Sequence, residues 1–232
     1  HEWGFEISLF QQRLTDMGLP ESFGEFGFMC HVAVTDKKTG IHAFAVGFEL
    51  EPKRISKDPV VLDASYCRLE LGGDGHDHVV AVIPEGMEER GLAGSWEINL
   101  EIDPVKPMAH HGGTGLISMT DNGGASYYYS YTRSTASGSL STPEGQFTVG
   151  GQAWMDHQWG DFDVNAFKGW DWWSIQTDDD WEVMLFQFRD HSDEIVHQDG
   201  TIVDPEGNVT NILGLDAFSI VSQRSWTSLI SE

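Results

Sequence analysis

Short segments that alternate apolar and polar residues, separated by turn-forming residues, recur along the whole sequence. Residues 4–13 are one example, because Phe5 and Ile7 would share a face of a strand. Residues 27–35 and 41–49 flank a turn-forming stretch in the manner of a hairpin. No stretch longer than about ten residues keeps a 3.6-residue apolar period with caps at both ends. The sequence therefore predicts an all-β chain, folded as an antiparallel barrel or a barrel-like sandwich.

The length of 232 residues suits one large all-β domain, or one domain with part of a second. Turn-forming residues are concentrated at 204–214. We therefore predict a β domain over residues 1–204. Residues 205–232 would be a linker followed by the first strand or strands of another domain, or a tail.

The charge balance is strongly acidic, with 13 basic against 37 acidic residues and a formal net charge of -24. This disfavours nucleic acid and anionic membranes as partners, because both require a positive surface. The longest apolar runs, such as 41–48, are too short to span a bilayer. No signal peptide is recognisable, and the sequence starts at His1 without a Met, so exported and cytoplasmic locations both stay open.

The two cysteines, Cys30 and Cys67, both lie in apolar, strand-like segments. We expect two buried thiols, with a disulfide as the alternative if the protein is exported. The two cysteines lack C-x-x-C spacing, and the ten histidines lack the spacing of metal ligands. The sequence therefore predicts no metal site and no cofactor.

The segment 150–160, GGQAWMDHQWG, combines aromatic residues with a carboxylate. In a strand, Trp154 and Asp156 share one face and His157 lies on the other. A carboxyl group against an aromatic surface loses hydration, which raises its pKa and suits a general acid. The alternative is structural: Asp156 would accept hydrogen bonds at a strand end, and His157 would be an ordinary satisfied histidine.

Two further segments, 125–133 and 168–177, place aromatic side chains at every second residue. A cavity lined by Trp and Tyr can hold a long apolar ligand and stabilise a carbocation, although such rings can also simply fill a core. The candidate ligand-binding residues are Trp154, Trp159, Trp170, Trp172, Tyr129, Tyr131 and Gln176.

Four motifs in order resemble a known family: CHVAVTD at 30–36, ASYYYS at 125–130, AWMDHQWG at 153–160 and GWDWWSIQ at 169–176. Together they resemble the lipocalin-like carotenoid 1,2-hydratase family, which contains hydroxyneurosporene synthase and its AttH-type relatives. Kievitone hydratase and certain fungal Diels–Alderases are more distant kin of the same architecture.

The resemblance implies two tandem lipocalin-like barrels, of which residues 225–228 would begin the second. It also implies cofactor-independent addition of water to an isolated alkene, such as the end of an isoprenoid or carotenoid. Asp156 matches the acid of that reaction, and His157 would orient the acid or the water. The usual opening strand of the family is reduced here to residues 2–3.

Three functions remain open at this point: a hydratase, a non-catalytic carrier of an apolar small molecule, and a pericyclase that only shapes a polyene. Asp156 without a basic partner would favour the hydratase, whereas a salt bridge to Arg133 or Arg189 would favour the carrier. In each case the partner is an apolar small molecule, and a membrane would be contacted, if at all, only to collect it.

Overall fold

The computed structural model describes residues 2–52, 54–72, 76–87, 94–119 and 124–224. Within these ranges the secondary structure consists of sixteen β-strands and two single-turn 3-10 helices. The paired strands run antiparallel, which confirms the all-β prediction. Among the described residues no helix is long and apolar enough to cross a membrane.

The chain forms two compact units. The first unit contains His1–Val105 and Ser134–Ala153, and the second contains Lys106–Arg133 and Trp154–Glu232. The domain boundary predicted at residue 204 stays a prediction, and the predicted start of a second barrel at 225–228 lies outside the described residues.

The first unit holds eight complete strands. They are β1 (Trp3–Arg13), β2 (Phe26–Asp36), β3 (His42–Glu49), β4 (Arg54–Lys57), β5 (Val60–Ala64), β6 (Cys67–Leu71), β7 (Asp77–Ile83) and β8 (Trp96–Pro104). Strands β1, β2 and β3 form one sheet, and β4 to β8 pair in sequence order in another. A 3-10 helix, Glu21–Phe23, follows β1.

The core of the first unit follows the period of two that the sequence predicts. Along β2, Cys30, Val32 and Val34 are buried while the residues between them are partly exposed. Each fully buried aliphatic side chain of this size contributes roughly 1.5–3 kcal/mol to folding. Cys30 and Cys67 form a disulfide with 6.3 Å between their Cα atoms, so the expectation of free thiols was wrong. Both lie on buried faces, and the sequence alone does not show that those faces meet.

Two long strands, β11 (Ala125–Thr142) and β12 (Gly145–Asp161), contribute residues to both units. The sequence pattern predicts shorter strands here, at 126–133 and 138–140 and at 147–150 and 152–159, whereas the structure has two unbroken strands. In the middle of β11, Ala136 is buried between exposed neighbours. The turn between β11 and β12 falls in the stretch TPEG at 142–145, whose residues favour a turn, and Gly145 has the positive φ of 140° that suits glycine there.

The remaining strands lie in the second unit. They are β9 (Ala109–His110), β10 (Leu116–Ser118), β13 (Gly169–Gln176), β14 (Glu182–Arg189), β15 (Ile195–Val203) and β16 (Val209–Leu213). Strands β13 to β16 form a four-stranded sheet, whereas β9 and β10 pair with the first half of β11. A second 3-10 helix, Val164–Ala166, precedes β13. Apolar side chains from β10, β11 and β14 form the core of this unit, among them Ile117, Met184 and Phe186.

Candidate functional site

The first half of β11 has two faces of different character. Tyr128 and Ser130 are buried, whereas Tyr127 and Tyr129 on the opposite face are exposed or partly exposed. The sequence interpretation favoured the odd-numbered tyrosines. The structure places the even-numbered face of β11 against the carboxyl group of Asp156 on β12.

Three donors converge on a single oxygen of Asp156. The Tyr128 hydroxyl and the Trp154 indole N–H each donate to Oδ1 over 2.9 Å, and the Ser130 hydroxyl donates to the same oxygen. Trp154 and Asp156 therefore share a face, as strand alternation predicts. With Oδ1 surrounded by donors, Oδ2 is the oxygen suited to carry an acidic proton.

The Tyr128 hydroxyl is itself oriented by a tryptophan of β13. The Trp172 indole N–H donates to the hydroxyl oxygen over 3.0 Å. Because an indole N–H can only donate, the tyrosine must use its own proton toward Asp156. The Trp172 and Trp154 rings also lie edge to face, with 6.5 Å between their centroids.

The surroundings of Asp156 oppose its ionisation. Desolvation by the packed protein raises the pKa of this carboxyl, and the hydrogen bonds from Ser130, Trp154 and Tyr128 offset only part of that rise. The residue nevertheless remains accessible to solvent. The protein thus holds a carboxyl group whose pKa is raised, at a position that a ligand can reach.

Behind Ser130 lies His111, which the sequence interpretation did not select. His111 is fully buried, with its Nε2 2.7 Å from the Ser130 hydroxyl and its Nδ1 2.8 Å from the Thr201 hydroxyl on β15. Its ring packs on Tyr128 with 4.2 Å between centroids. A continuous chain of hydrogen bonds thus runs from Asp156 through Ser130 and His111 to Thr201.

Burial lowers the pKa of His111 to about 4, and the neighbouring His110 adds to the effect. His111 is therefore neutral near pH 7. His111 directly follows β9, a strand of only two residues, so the sequence shows no periodic pattern around it. Its hydrogen bonds to Ser130 on β11 and Thr201 on β15 mark it as part of the site.

His157 lies on the other face of β12. Its Nδ1 is 3.0 Å from the Tyr129 hydroxyl, and its ring lies 4.6 Å from that of Trp159. Trp159 in turn stacks on Tyr127, with 5.3 Å between centroids. The structure therefore brings His157 together with Tyr129 and Trp159 and not with Asp156, and its proposed orienting role stays a prediction.

The other predicted ligand-binding residues are dispersed. Trp170 is 57% exposed and its ring neighbours Phe188, and Tyr131 is buried with its ring at an edge-to-face distance from Tyr129. Gln176 donates to the Thr132 carbonyl over 2.8 Å, so its amide fastens β13 to β11. Of the predicted ligand-binding set, Trp154 and Trp172 are the two whose polar atoms belong to the Asp156 network.

Neither of the two arginines considered from the sequence pairs with Asp156. Arg133 binds the buried carboxylate of Glu182, which also binds Lys106 over 2.8 Å. Arg189 binds Asp171. The hydrogen-bond donors described for Asp156 are therefore uncharged, and no cation there counteracts the effect of desolvation on its pKa.

In the part of the chain that the structure describes, no group of three or more His, Cys, Asp or Glu residues is arranged to hold a metal ion. The hydrogen-bonded site around Asp156 is built from hydroxyl, indole and imidazole groups on a carboxyl. The fold and this site together define the class: an all-β protein with a candidate acid on an accessible surface that contains aromatic residues.

The sequence matches the family model described as AttH-like over residues 1–232. The chain therefore belongs to the AttH-like family. No curated protein matches it.

Two solved structures share the lipocalin-like fold. A protein described as AttH from Nitrosomonas europaea is 20% identical, with a TM-score of 0.79, over 98% of this chain and 67% of that one. Kievitone hydratase from Nectria haematococca is 14% identical, with a TM-score of 0.55, over 81% of this chain. The matched region spans 55% of the kievitone hydratase chain.

Proposed function

We propose that this protein is a cofactor-independent hydratase that adds water to an isolated carbon–carbon double bond of an apolar substrate, with Asp156 as the acid. The substrate class we propose is an isoprenoid or carotenoid-like molecule. The proposal is supported by membership of the AttH-like family and by the likeness to a protein named kievitone hydratase.

The observation that carries the proposal is the state of the Asp156 carboxyl group. It is desolvated, its pKa is raised, and its described partners are uncharged donors. A carboxylate that served only to fasten a strand would gain from a cationic partner, such as those that Glu182 and Asp171 have. These surroundings shift the pKa of Asp156 upward, which is the direction that a general acid needs.

The proposed reaction needs only the protein and water. Protonated Asp156 transfers its proton to one alkene carbon, which leaves a carbocation on the other carbon and a carboxylate on the enzyme. A water molecule adds to the cation, and the resulting oxonium returns its extra proton to Asp156. The net change is addition of one water, and the acid is regenerated.

The neighbouring aromatic rings suit the cationic intermediate. The face of an indole ring attracts a cation. Trp154 contacts the acid through its indole N–H, and the Trp172 ring lies edge to face with the Trp154 ring. Trp172 is 41% exposed, so its ring surface is accessible to a bound molecule. The same ring surface would bind the apolar chain of the substrate before the reaction, because binding removes both apolar surfaces from water.

A second function, a non-catalytic carrier of an apolar molecule, is favoured by one specific observation. The stacked pair Tyr127 and Trp159 leaves both rings about half exposed, at 49% and 48%, on the face of the strands away from Asp156. A ligand bound there would not meet the acid.

The test is hydration of squalene, a probe with trisubstituted terminal alkenes, by the purified protein in H₂¹⁸O. Mass spectrometry of the extracted product should show one ¹⁸O per water added with the wild-type protein. Asp156→Asn should lower this rate by about 100-fold or more, the usual scale for a general acid. Asp161→Asn, at the exposed end of the same strand, is the matched control and should leave the rate unchanged.

Equal ¹⁸O incorporation by the wild type and Asp156→Asn would overturn the catalytic role of Asp156. Binding of squalene without any incorporation by the wild type would contradict the hydratase and support the carrier.

A further inference from the structure

We propose that His111 is a positioning residue that acts through Ser130 to keep a hydroxyl proton aimed at Asp156. The inference rests on the proposed function only in taking Asp156 as the acid. It concerns a residue that lies one hydrogen bond behind the carboxyl group and does not touch a substrate there.

The hydroxyl protons along this chain of hydrogen bonds are limited in number. Ser130 and Thr201 have one hydroxyl proton each, and each oxygen has more partners than protons; Ser130 also neighbours the Tyr128 hydroxyl. Ser130 lies between Asp156 and His111, and Thr201 lies between His111 and Asn211. The direction of every bond in the chain is therefore set by which nitrogen of His111 carries a proton.

The charge on His111 is restricted by its burial. If Ser130 donated to Asp156 and Thr201 donated to Asn211, His111 would have to donate from both nitrogens and would carry a positive charge. A fully buried imidazole resists that charge, since burial lowers its pKa to about 4. At neutral pH His111 therefore donates from one nitrogen and accepts at the other.

The two neutral tautomers of His111 differ in the hydrogen bonds that they allow Ser130 and Thr201 to make. When Asp156 is ionised and the proton of His111 is on Nε2, His111 donates to Ser130 and the Ser130 hydroxyl donates to the carboxylate, which is a strong charge-assisted bond. Thr201 then donates to Nδ1 over 2.8 Å, in place of the longer bond of 3.2 Å that it donates to the Asn211 amide oxygen. With the proton on Nδ1, Ser130 would turn its proton toward His111 and its lone pairs toward the carboxylate.

The consequence is a specific effect on the acid. Desolvation raises the pKa of Asp156, and each donor to its ionised form lowers it again. The Trp154 N–H can only donate, and the direction of the Tyr128 hydroxyl is set by Trp172, which also can only donate. Ser130 differs because its neighbour His111 can either donate or accept. His111 thereby prevents the acid from becoming too weak to protonate carbon.

Within the part of the chain that the structure describes, the titratable groups that neighbour this chain of hydrogen bonds can be separated. They are Asp156 on β12, Tyr128 on β11, the adjacent His110 on β9, and Asp199, which lies two residues from Thr201 on β15 and 3.2 Å from His197. Variants at His111 and Ser130 leave all four in place, so a change in the titration of Asp156 reports the relay itself.

The first measurement is the tautomer of His111, read from ¹⁵N and ¹³C ring shifts of the labelled full chain at a pH above the titration midpoint of Asp156. The expected result is a neutral ring with the proton on Nε2. A ring with its proton on Nδ1, or a charged ring, overturns the proposal without reference to any activity.

The second measurement is the pKa of Asp156, read from its ¹³C carboxyl shift, in four variants. Ser130→Ala and His111→Phe should each raise the pKa, and the double variant should raise it no further than Ser130→Ala alone, because the histidine acts through the serine. His111→Gln, whose amide N–H can replace Nε2–H as donor, should restore the wild-type pKa.

Additive shifts in the double variant, or an unchanged pKa in His111→Phe, contradict the relay. If His111→Phe does not fold, the tautomer of the wild-type His111 ring still decides the question. Failure of the relay is distinguishable from failure of the proposed function: the first appears in the Asp156 titration, and the second in ¹⁸O incorporation by the wild type.

Discussion

The indole N–H of Trp172 donates to the hydroxyl oxygen of Tyr128 over 3.0 Å, so the tyrosine proton cannot be donated to Trp172. It donates the proton to Asp156 over 2.9 Å. A tryptophan of β13 thus determines the direction of a hydrogen bond between β11 and β12. The site is held together by donors whose directions are fixed before any ligand arrives.

Tyr128→Phe removes one donor to the ionised form of Asp156, so we expect the pKa of Asp156 to rise. Trp172→Phe should raise it less, because the tyrosine hydroxyl remains but is free to rotate. The ¹³C carboxyl titration of Asp156 measures both. Tyr127→Phe, on the opposite face of the same strand, is the control, and a shift of equal size there would count against a specific hydrogen bond.

Glu182 is fully buried between Lys106 and Arg133, which are themselves 7% and 5% exposed. Glu182→Gln leaves two buried cations without their anion, and breaking such a cluster costs about 3–5 kcal/mol of folding free energy. Urea denaturation measures the loss. Glu206→Gln, at an exposed turn of the second unit, should cost less than about 0.5 kcal/mol.

His111 predicts a pH dependence of stability. Its pKa is lowered in the folded state from 6.5 to about 4, so the unfolded chain binds the proton more readily between those values. The contribution is fully present above pH 6.5 and is lost as the pH falls toward about 4. From the difference of these two pKa values, the loss amounts to about 3 kcal/mol.

His111→Gln lacks this titration. Its free energy of unfolding should therefore decrease less than that of the wild type between pH 7 and pH 4, as measured by urea denaturation at each pH. Parallel curves for the two proteins would show that His111 is not buried in its neutral form.

Strand alternation predicted from the sequence which residues share a face, and the structure confirms it for Trp154 with Asp156 and for His157 on the opposite face. Alternation cannot show which face of one strand meets which face of another. The odd-numbered tyrosines of β11 were therefore favoured, although Tyr128 is the one that contacts Asp156.

His111 shows a second limit of the sequence. It is brought to Ser130 and Thr201 by contacts that span 19 and 90 residues of sequence, and no local pattern encodes such contacts. The disulfide between Cys30 and Cys67 is similar, since the identity of the two residues was plain but their proximity depends on the packing of β2 against β6.

The disulfide closes a sequence separation of 37 residues. From the loop-closure entropy of the unfolded chain we expect about 4 kcal/mol of stabilisation. Comparison of the wild type with a Cys30→Ala/Cys67→Ala variant by urea denaturation measures it. Two free thiols detected by alkylation of the unfolded, unreduced protein would contradict the bond.

The central claim is that the protein holds Asp156 as an acid, and the pKa of that carboxyl group in the wild-type protein tests it most directly. A ¹³C carboxyl titration is suitable, with the signal of Asp156 identified by its absence from Asp156→Asn. The account predicts a midpoint clearly above the ordinary value of 3.8, because desolvation outweighs the three donors. A midpoint at or below 3.8 would show an ordinary structural carboxylate and would contradict the account.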